Sequence, residues 1–363
     1  MGNLKIGITH GDINGVGYET ILKAFAEEEM LSCCTPIIYG SPKAATYHRK
    51  AIESNTNFTV ISSAKDAVVN QLNLINLFGE AELKIDYGQP SEEAGAAAFK
   101  SLEAAINDLS NHKIDAVVTA PINKNTIQSD KFHFAGHTEY IENKAGDGKK
   151  ALMILMNKNL KVALVTTHLP IAKVAENITK EKILQKLEIL DLSLKRDFKI
   201  DNPRIAVLAL NPHAGDGGLL GQEEQTIITP AVEEAFEKGI RCFGPYSADG
   251  FFGSGNYRHF DAILAMYHDQ GLAPFKALAM DDGVNFTAGL PVVRTSPDHG
   301  TAYDIAGKNQ ASASSMREAI YAAIDICRNR ATYDAAFANP LSKQYYEKRD
   351  DSYKLKLDQE TEE

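Results

Sequence analysis

The sequence predicts an α/β protein whose strands are buried on both faces of a sheet. Short apolar runs alternate with segments of helical periodicity along most of the 363 residues, as in folds built from strand–helix units. The runs are rich in Val, Ile, Leu and Ala and lack polar alternation, which is typical of parallel strands covered by helices on both sides. Hydrophobic residues make up 44% of the chain and charged residues 24%, so we expect a large globular core.

Six apolar runs are predicted strands, and four periodic segments are predicted helices. The strands are residues 5–9, 36–39, 115–119, 162–167, 204–210 and 261–266. The helices are residues 91–109, 180–196, 225–238 and 314–329, and Ser91 is a predicted N-cap for the first of them. From Leu341 onward 12 of the last 23 residues are charged, which predicts a solvated helix or a disordered tail without a catalytic role.

Composition and charge exclude several classes of protein. A formal net charge of −10 argues against non-specific nucleic-acid binding, which needs a basic surface. No apolar run approaches the roughly 18 residues of a membrane span, and the N-terminal sequence MGNLKIGITHGD lacks a signal-peptide pattern. We therefore expect a cytoplasmic protein. The four cysteines, Cys33, Cys34, Cys242 and Cys327, have no CxxC spacing and are expected to be reduced thiols.

Three of the predicted strands each end in a histidine. VALVTTH closes on His168, AVLALNPH closes on His213, and AILAMYH closes on His268. Because parallel strands end at one edge of a sheet, the three side chains can converge although they are distant in sequence. Three imidazoles suit zinc, cobalt, nickel or ferrous iron and leave positions open for a substrate. The pattern predicts a metal site; the alternative is three separate, hydrogen-bonded histidines at strand ends.

Two glycine-rich loops follow predicted strands. HGDINGVGYE follows the first strand, and AGDGGLLGQEE follows His213. Backbone N–H groups in such turns can hold phosphate at the start of a helix, although a plain strand-to-helix turn has the same composition. Neither loop matches GxGxxG, so the sequence does not predict a conventional dinucleotide-binding domain.

Cationic and polar side chains on neighbouring loops are candidates for holding an anion. A phosphorylated carboxylic acid would be bound by bidentate Arg contacts together with Lys and amide donors. Asp249 and Asp269 are candidates for orienting a bound water or an imidazole N–H. Each charged residue can also be an ordinary surface group. The candidates for anion binding are Lys124, His137, Thr138, Lys276, Asn285 and Arg294.

Seven motifs occur in an order that resembles the 4-hydroxythreonine-4-phosphate dehydrogenases of vitamin B6 biosynthesis. The resemblance implies a three-layer α/β/α fold like that of isocitrate and isopropylmalate dehydrogenases, with two lobes and a cleft between them. It also implies a homodimer with active sites at the interface. The lobes are expected at residues 1–135 plus 300–345 and at residues 136–299, with a charged tail at 346–363. The motifs are GITHGD, TAPINK, GHTEY, TTHLP, LNPHAGDGG, YHDQGL and RTSPDHGTA.

The resemblance also implies roles for individual residues. His168, His213 and His268 fall on the metal-binding positions of the family, where the site is shared across the two subunits. Asp249 falls on an acidic position near the metal, and Lys276 or a water held by Asp249 is the candidate proton acceptor. The family's substrate-binding positions are occupied here by His137, Thr138, Lys276, Asn285 and Arg294.

The implied reaction is oxidation of 4-phosphohydroxy-L-threonine with NAD or NADP and a divalent metal (Zn, Co or Mg). The product, 2-amino-3-oxo-4-phosphooxybutanoate, loses carbon dioxide to give 3-amino-2-oxopropyl phosphate. Related dehydrogenases act on threonate or erythronate phosphate, and a metal hydrolase, an acyl- or phosphoryl-transferring relative and a non-catalytic binding protein are the rival hypotheses. A requirement for NAD(P) separates the dehydrogenase from the hydrolase.

The sequence departs from the usual family pattern in two loops. Ile13, Asn14 and Tyr18 replace Pro, Ala and Pro in the first loop. Leu219 and Gln222 stand where a histidine and an arginine are usual in the glycine-rich loop. These changes leave the candidate metal and substrate positions intact and leave the preference between NAD and NADP open.

Overall fold

A computed structural model describes residues 3–79, 83–279 and 281–339, and these residues build helices around one twelve-stranded sheet. The predicted tail at 346–363 lies outside the described residues. The strand order across the sheet is β3-β4-β2-β1-β5-β12-β11-β6-β7-β10-β8-β9. The strands are β1 Lys5–Thr9, β2 Thr35–Gly40, β3 Thr59–Ile61, β4 Asn73–Asn76, β5 Ala116–Thr119, β6 Leu152–Met156, β7 Lys161–Leu164, β8 Ile205–Leu208, β9 Cys242–Tyr246, β10 Ala262–Ala265, β11 Val284–Ala288 and β12 Arg294–Pro297.

The helices lie between these strands, as the alternation in the sequence predicts. Ser91 is the N-cap of the fourth helix, where its Oγ accepts a hydrogen bond from the backbone N–H of Ala94 at 3.1 Å. The helices are α1 Gly17–Ala24, α2 Glu28–Cys33, α3 Pro42–Ala51, α4 Glu92–Ser110, α5 His137–Ala145, α6 Val174–Asn177, α7 Lys180–Arg196, α8 Thr229–Glu237, α9 Ala248–Gly253, α10 His268–Leu278 and α11 Ser314–Phe337.

All six predicted strands and all four predicted helices are present; β1 has the predicted ends, and the other elements have shifted ends. The predicted helix at 225–238 is divided into a π-helical turn, Glu224–Ile228, and α8. Apart from β6, whose apolar run LMILM the sequence analysis missed, the strands that were not predicted are short or lack a continuous apolar run. For example, β12 has the sequence RTSP and β9 has the sequence CFGPY.

The sheet is mixed, whereas the sequence predicts parallel strands. Three antiparallel pairings, β12–β11, β11–β6 and β6–β7, lie at its centre, and every other pairing is parallel. The first six strands in this spatial order, β3, β4, β2, β1, β5 and β12, therefore run in the direction opposite to β7, β10, β8 and β9. As a result, the carboxyl ends of β7, β10 and β8 lie at the same edge of the sheet as the amino end of β12.

The hydrophobic core is continuous on one face of the sheet and divided on the other. On the continuous face, α1, α3, α7, α8 and α11 supply most of the helical residues packed against the strands. On the opposite face, α4 and α5 pack over one half of the sheet, and α9 and α10 pack over the other half. A cleft between two separate packed layers is a common place for a ligand.

Side-chain alternation in the central strands puts polar residues between the two separate cores. Val284 and Phe286 of β11 belong to the continuous core, so Asn285 and Thr287 point to the opposite face. By the same alternation Arg294 of β12, which follows the core residue Val293, points to the divided face. In the described part of the chain, no helix is both long enough and apolar enough to cross a membrane.

Candidate active site

Arg294 lies at the centre of the divided face and is buried without an ion pair. Its guanidinium donates to the Oγ1 of Thr119 at 2.7 and 3.1 Å and to the Oγ1 of Thr287 at 3.2 Å. No carboxylate of the described residues lies within ion-pair distance of it. Burial lowers the pKa of Arg294 well below its usual range, to about 10, against the opposing charge of Glu139. A buried cation that lacks an anionic partner is costly to maintain and is suited to binding an anionic ligand.

His137 opens α5 beside this guanidinium. Its Nε2 is buried and has no partner among the described residues. Burial, followed by the positive charges of Arg294 and Lys124, holds the pKa of His137 well below 6.5, so its imidazole is neutral. Thr138 follows in the first turn of α5, whose N-cap, Gly136, provides no side-chain cap. This helix start therefore adds partial positive charge to the same region.

Further buried polar atoms near these residues lack partners. In the described part of the chain, Oδ1 of Asn285 and Oε2 of Glu139 are both buried and unpaired. Buried polar atoms in folded proteins are normally hydrogen-bonded, so unpaired atoms beside an unpaired arginine indicate a ligand. Arg294, His137 and Asn285, which the sequence analysis identified separately, therefore border one polar region.

His168 lies at the rim of this region, between Glu139 and Lys124. Its Nδ1 is 3.3 Å from Oε1 of Glu139, and its Nε2 is 3.2 Å from Nζ of Lys124. Burial opposes ionisation of Glu139, but its contacts with His168 and Lys124 and a backbone hydrogen bond lower its pKa overall. Lys124 follows β5, which runs opposite to β7, so the segment between β5 and α5 must turn back to reach His168.

His268 lies next to His168, with the two ring centroids 6.0 Å apart. It opens α10, and its Nδ1 is 2.7 Å from Oδ1 of Asp269. Each of the two imidazoles thus has a carboxylate at Nδ1, which favours Nε2 as the metal-binding nitrogen. The donor chemistry and the paired carboxylates fit a divalent metal such as zinc or cobalt.

His213 lies on a turn with a different backbone conformation from that of His168 and His268. Within a single chain it does not complete a metal site with these two histidines. It lies on an exposed turn after β8, near Asp249. Asp249 itself is exposed and accepts a hydrogen bond from Ser247 at 2.5 Å. In the described residues of this single chain, no group of three His, Cys, Asp or Glu side chains is arranged to hold a metal ion.

Lys276 lies near the end of α10, beside Asp298. Its Nζ is 3.7 Å from Oδ1 of Asp298 and 3.4 Å from the backbone oxygen of the same residue. Burial raises the pKa of Asp298, and the neighbouring charges of Lys276 and His268 counteract part of this shift. Lys276 is therefore on the same side of the cleft as His268.

A separate cavity adjoins His299, which follows Asp298. The buried Nε2 of His299 has no partner in the described chain, and its Nδ1 lies 2.9 Å from the backbone oxygen of Gly300. Most of the cavity wall is apolar, with a few polar groups, as in many cofactor sites. It is a candidate site for part of a small ligand. Its other lining residues are Val16, Thr20, Asp281, Ala302, Ile305, Ala311, Ser312 and Ser315.

Sequence reasoning missed Glu139, Thr119 and Thr287. Glu139 lies within the motif GHTEY, two residues after His137, but its contact with His168 depends on the path of the segment before α5. Thr119 and Thr287 lie near the ends of β5 and β11 and look like ordinary strand residues. Only the pairing of β12 with both strands shows that they hold Arg294.

Comparison with known proteins gives consistent matches over almost the whole chain. The model of the family "Pyridoxal phosphate biosynthetic protein PdxA" matches residues 32–323. A 4-hydroxythreonine-4-phosphate dehydrogenase of Bacteroides thetaiotaomicron is 64% identical over 355 residues, which cover 98% of this chain and 97% of the relative. Another, from a Sulfurihydrogenibium species, is 45% identical over 90% of this chain and 99% of the relative.

Solved structures agree with the sequence matches. The crystal structure of 4-hydroxythreonine-4-phosphate dehydrogenase from Klebsiella pneumoniae has a TM-score of 0.77 at 34% identity, covering 90% of this chain and 98% of that chain. The fold, the matched residues and the level of identity lead to the same assignment. The chain belongs to the family of the pyridoxal phosphate biosynthetic protein PdxA.

Proposed function

We propose that this chain is a cytoplasmic, metal-dependent NAD(P) dehydrogenase that oxidises 4-phosphohydroxy-L-threonine. The product, 2-amino-3-oxo-4-phosphooxybutanoate, would then decarboxylate to 3-amino-2-oxopropyl phosphate. The relatives that carry the name of this activity support the proposal, since they match nearly the full length of the chain. Within the structure, the observation that carries it is the buried, unpaired guanidinium of Arg294 beside the unpaired Nε2 of His137.

The substrate brings the anionic groups that this region lacks. Arg294 would donate to a phosphate or carboxylate oxygen, and the N–H groups at the start of α5 would add donors near Thr138. Asn285 would contribute its buried amide. Because His137 is neutral, it can share a hydrogen bond with the substrate without a second buried charge. These residues orient the substrate and exclude water from it.

His168 and His268 are the residues of this chain best placed to hold the metal. Their paired carboxylates, Glu139 and Asp269, would leave both Nε2 atoms to face the metal, with Lys124 moving away from Nε2 of His168. We propose that the third ligand, His213, comes from a second copy of the chain. Exposed apolar side chains on the segments that follow His168 and His213 support this: Ile171 is 72% exposed and Leu219 is 79% exposed.

When bound, the metal supplies a Lewis acid and the nicotinamide supplies the hydride acceptor. Oxidation of the 3-hydroxyl breaks its O–H and C–H bonds; the hydride leaves with the cofactor, and the proton needs an acceptor. We propose Lys276 as this acceptor, because it lies with Asp298 on the side of His268. Asp249 is the second candidate, since it lies near His213.

The test is formation of NAD(P)H from 4-phosphohydroxy-L-threonine by the metal-loaded protein, with and without a chelator. We expect turnover to be lost on chelation, restored by zinc, cobalt or magnesium, and nearly abolished in H168A and H268A. Lys276→Met should lower kcat, whereas Lys276→Arg should keep part of the substrate affinity. If the metal-loaded protein reduces neither NAD nor NADP with this substrate or with threonate or erythronate phosphate, the dehydrogenase proposal is wrong.

A further inference from the structure

The turn that carries His213 has an unusual backbone. Five consecutive residues from His213 to Gly217 have positive φ values, between 44° and 78°, so they form one turn of left-handed helix. Gly215 and Gly217 adopt this conformation readily, but His213, Ala214 and Asp216 have Cβ atoms that disfavour it. A run of this kind persists only if the surrounding structure imposes it.

Glu224 provides that restraint at the start of the turn. Its Oε1 accepts hydrogen bonds from the backbone N–H groups of Leu210 and Asn211 at 2.8 and 2.7 Å. Its Oε2 accepts from the side-chain amide of Asn211 at 3.0 Å. The carboxylate therefore fixes the two residues at which the chain leaves β8, immediately before Pro212 and His213.

Glu224 also packs against the turn itself. A Cβ added to Gly215 would stand 2.6 Å from Oε2 of Glu224, so only a glycine fits where the turn passes the carboxylate. The backbone N–H of Leu220 donates to the oxygen of Gly215 at 3.0 Å and closes the turn on its other side. Glu224 is itself buried and begins the π-helical turn Glu224–Ile228.

No cation pairs with Glu224 in the described part of the chain, so its buried charge is balanced by hydrogen-bond donors alone. Burial opposes its ionisation, but the hydrogen bonds from Asn211 and the backbone lower its pKa overall. A buried carboxylate that accepts from the stem of one strained turn is poorly explained as a general packing residue, since an apolar side chain would fill the space at lower cost.

We infer that Glu224 is a positioning residue for His213: it holds the left-handed turn that presents this imidazole to the metal. This inference rests on the proposed role of His213 as a metal ligand. Without the carboxylate, the N–H groups of Leu210 and Asn211 lose their acceptor and the turn is free to leave the left-handed conformation. The expected loss of metal affinity is about 10- to 100-fold, the usual effect of removing a residue that orients a metal ligand without binding the metal itself.

The experiment compares Glu224→Ala with Glu223→Ala, Glu224→Gln and the wild type, all as the full chain. Glu223 is the matched control, because it is the neighbouring carboxylate and, among the described residues, hydrogen-bonds only to the side-chain amide of Asn211, at 2.8 Å. Two quantities are measured without substrate: the affinity for cobalt(II), with the visible spectrum of the bound ion, and hydrogen–deuterium exchange of residues 213–220.

For Glu224→Ala we expect exchange at residues 213–220 to accelerate at least about tenfold, with β8 unchanged, and a cobalt spectrum altered toward fewer nitrogen ligands. Glu223→Ala should match the wild type, and Glu224→Gln should recover most of the affinity because its amide oxygen still accepts. Unchanged exchange in Glu224→Ala, or faster exchange with unchanged cobalt affinity, would overturn the inference. If exchange accelerates but the wild type binds no cobalt, the anchoring of the turn is supported and the proposed metal function fails.

Discussion

Replacing Arg294 by methionine should keep or raise the stability of the protein and should impair its function. Burial lowers its pKa well below the usual range, to about 10, so the structure disfavours the charged form by about 3 kcal/mol. Replacing the guanidinium by an apolar side chain of similar length removes this penalty. The hydroxyls of Thr119 and Thr287 lose their donors, which offsets part of the gain. We expect the free energy of unfolding of Arg294→Met to stay the same or to rise by up to about 3 kcal/mol.

The same substitution should strongly weaken substrate binding. Truncation of a buried group that pairs with a ligand charge costs roughly 2–5 kcal/mol, so KM should rise by about 30-fold or more. The measurements are urea unfolding followed by circular dichroism, and steady-state NAD(P)H formation. Inorganic phosphate should also raise the thermal stability of the wild type but not of the variant.

Arg330 provides the matched control. It is 6% exposed, against 3% for Arg294, but it pairs with Asp197 at 2.6 Å and donates to three backbone oxygens. Arg330→Met leaves a buried carboxylate unpaired, so we expect a loss of about 3–5 kcal/mol in stability and little change in KM. The reasoning is refuted if both variants are equally destabilised and the KM of Arg294→Met stays at the wild-type value.

Three further predictions concern stability and the metal site. Burial lowers the pKa of His10 and His48 from 6.5 to about 4, so the stability they contribute as neutral side chains is complete above pH 6.5 and is lost as the pH falls toward 4. Each histidine should lower the free energy of unfolding by about 2 kcal/mol between about pH 7.5 and pH 5, and His48→Gln should halve this combined pH dependence in urea unfolding. Glu139→Gln should weaken cobalt(II) binding by about tenfold, measured by titration, because His168 loses its charged partner; unchanged affinity would contradict this. Lys124→Met should tighten cobalt(II) binding by about tenfold, since a cation 3.2 Å from Nε2 of His168 is removed, and weaker binding would be the contrary result.

The strand-end argument could be made from sequence because it depends on order and direction alone. His168 and His268 follow β7 and β10, which are neighbours in the sheet, and the structure brings the two rings together. His213 follows β8, the next strand, but the left-handed turn controls its position. Ala214 and Asp216 gave no sign of this conformation, because the stem of the turn is held by hydrogen bonds that Glu224, a residue later in the chain, accepts from it.

The contact between Arg294 and Thr287 was hidden for a different reason. The sequence predicts parallel strands. In a parallel sheet the start of β12 would lie at one edge, and its neighbours would end at the other edge. The antiparallel pairings at the centre reverse β11 and β7 relative to β12, so Arg294 at the start of β12 lies at the edge where those strands end. Thr287 then reaches the guanidinium from the end of β11, and the histidine after β7 lies at the same edge. The change of strand direction is therefore what places the anion-binding arginine beside the candidate metal ligands.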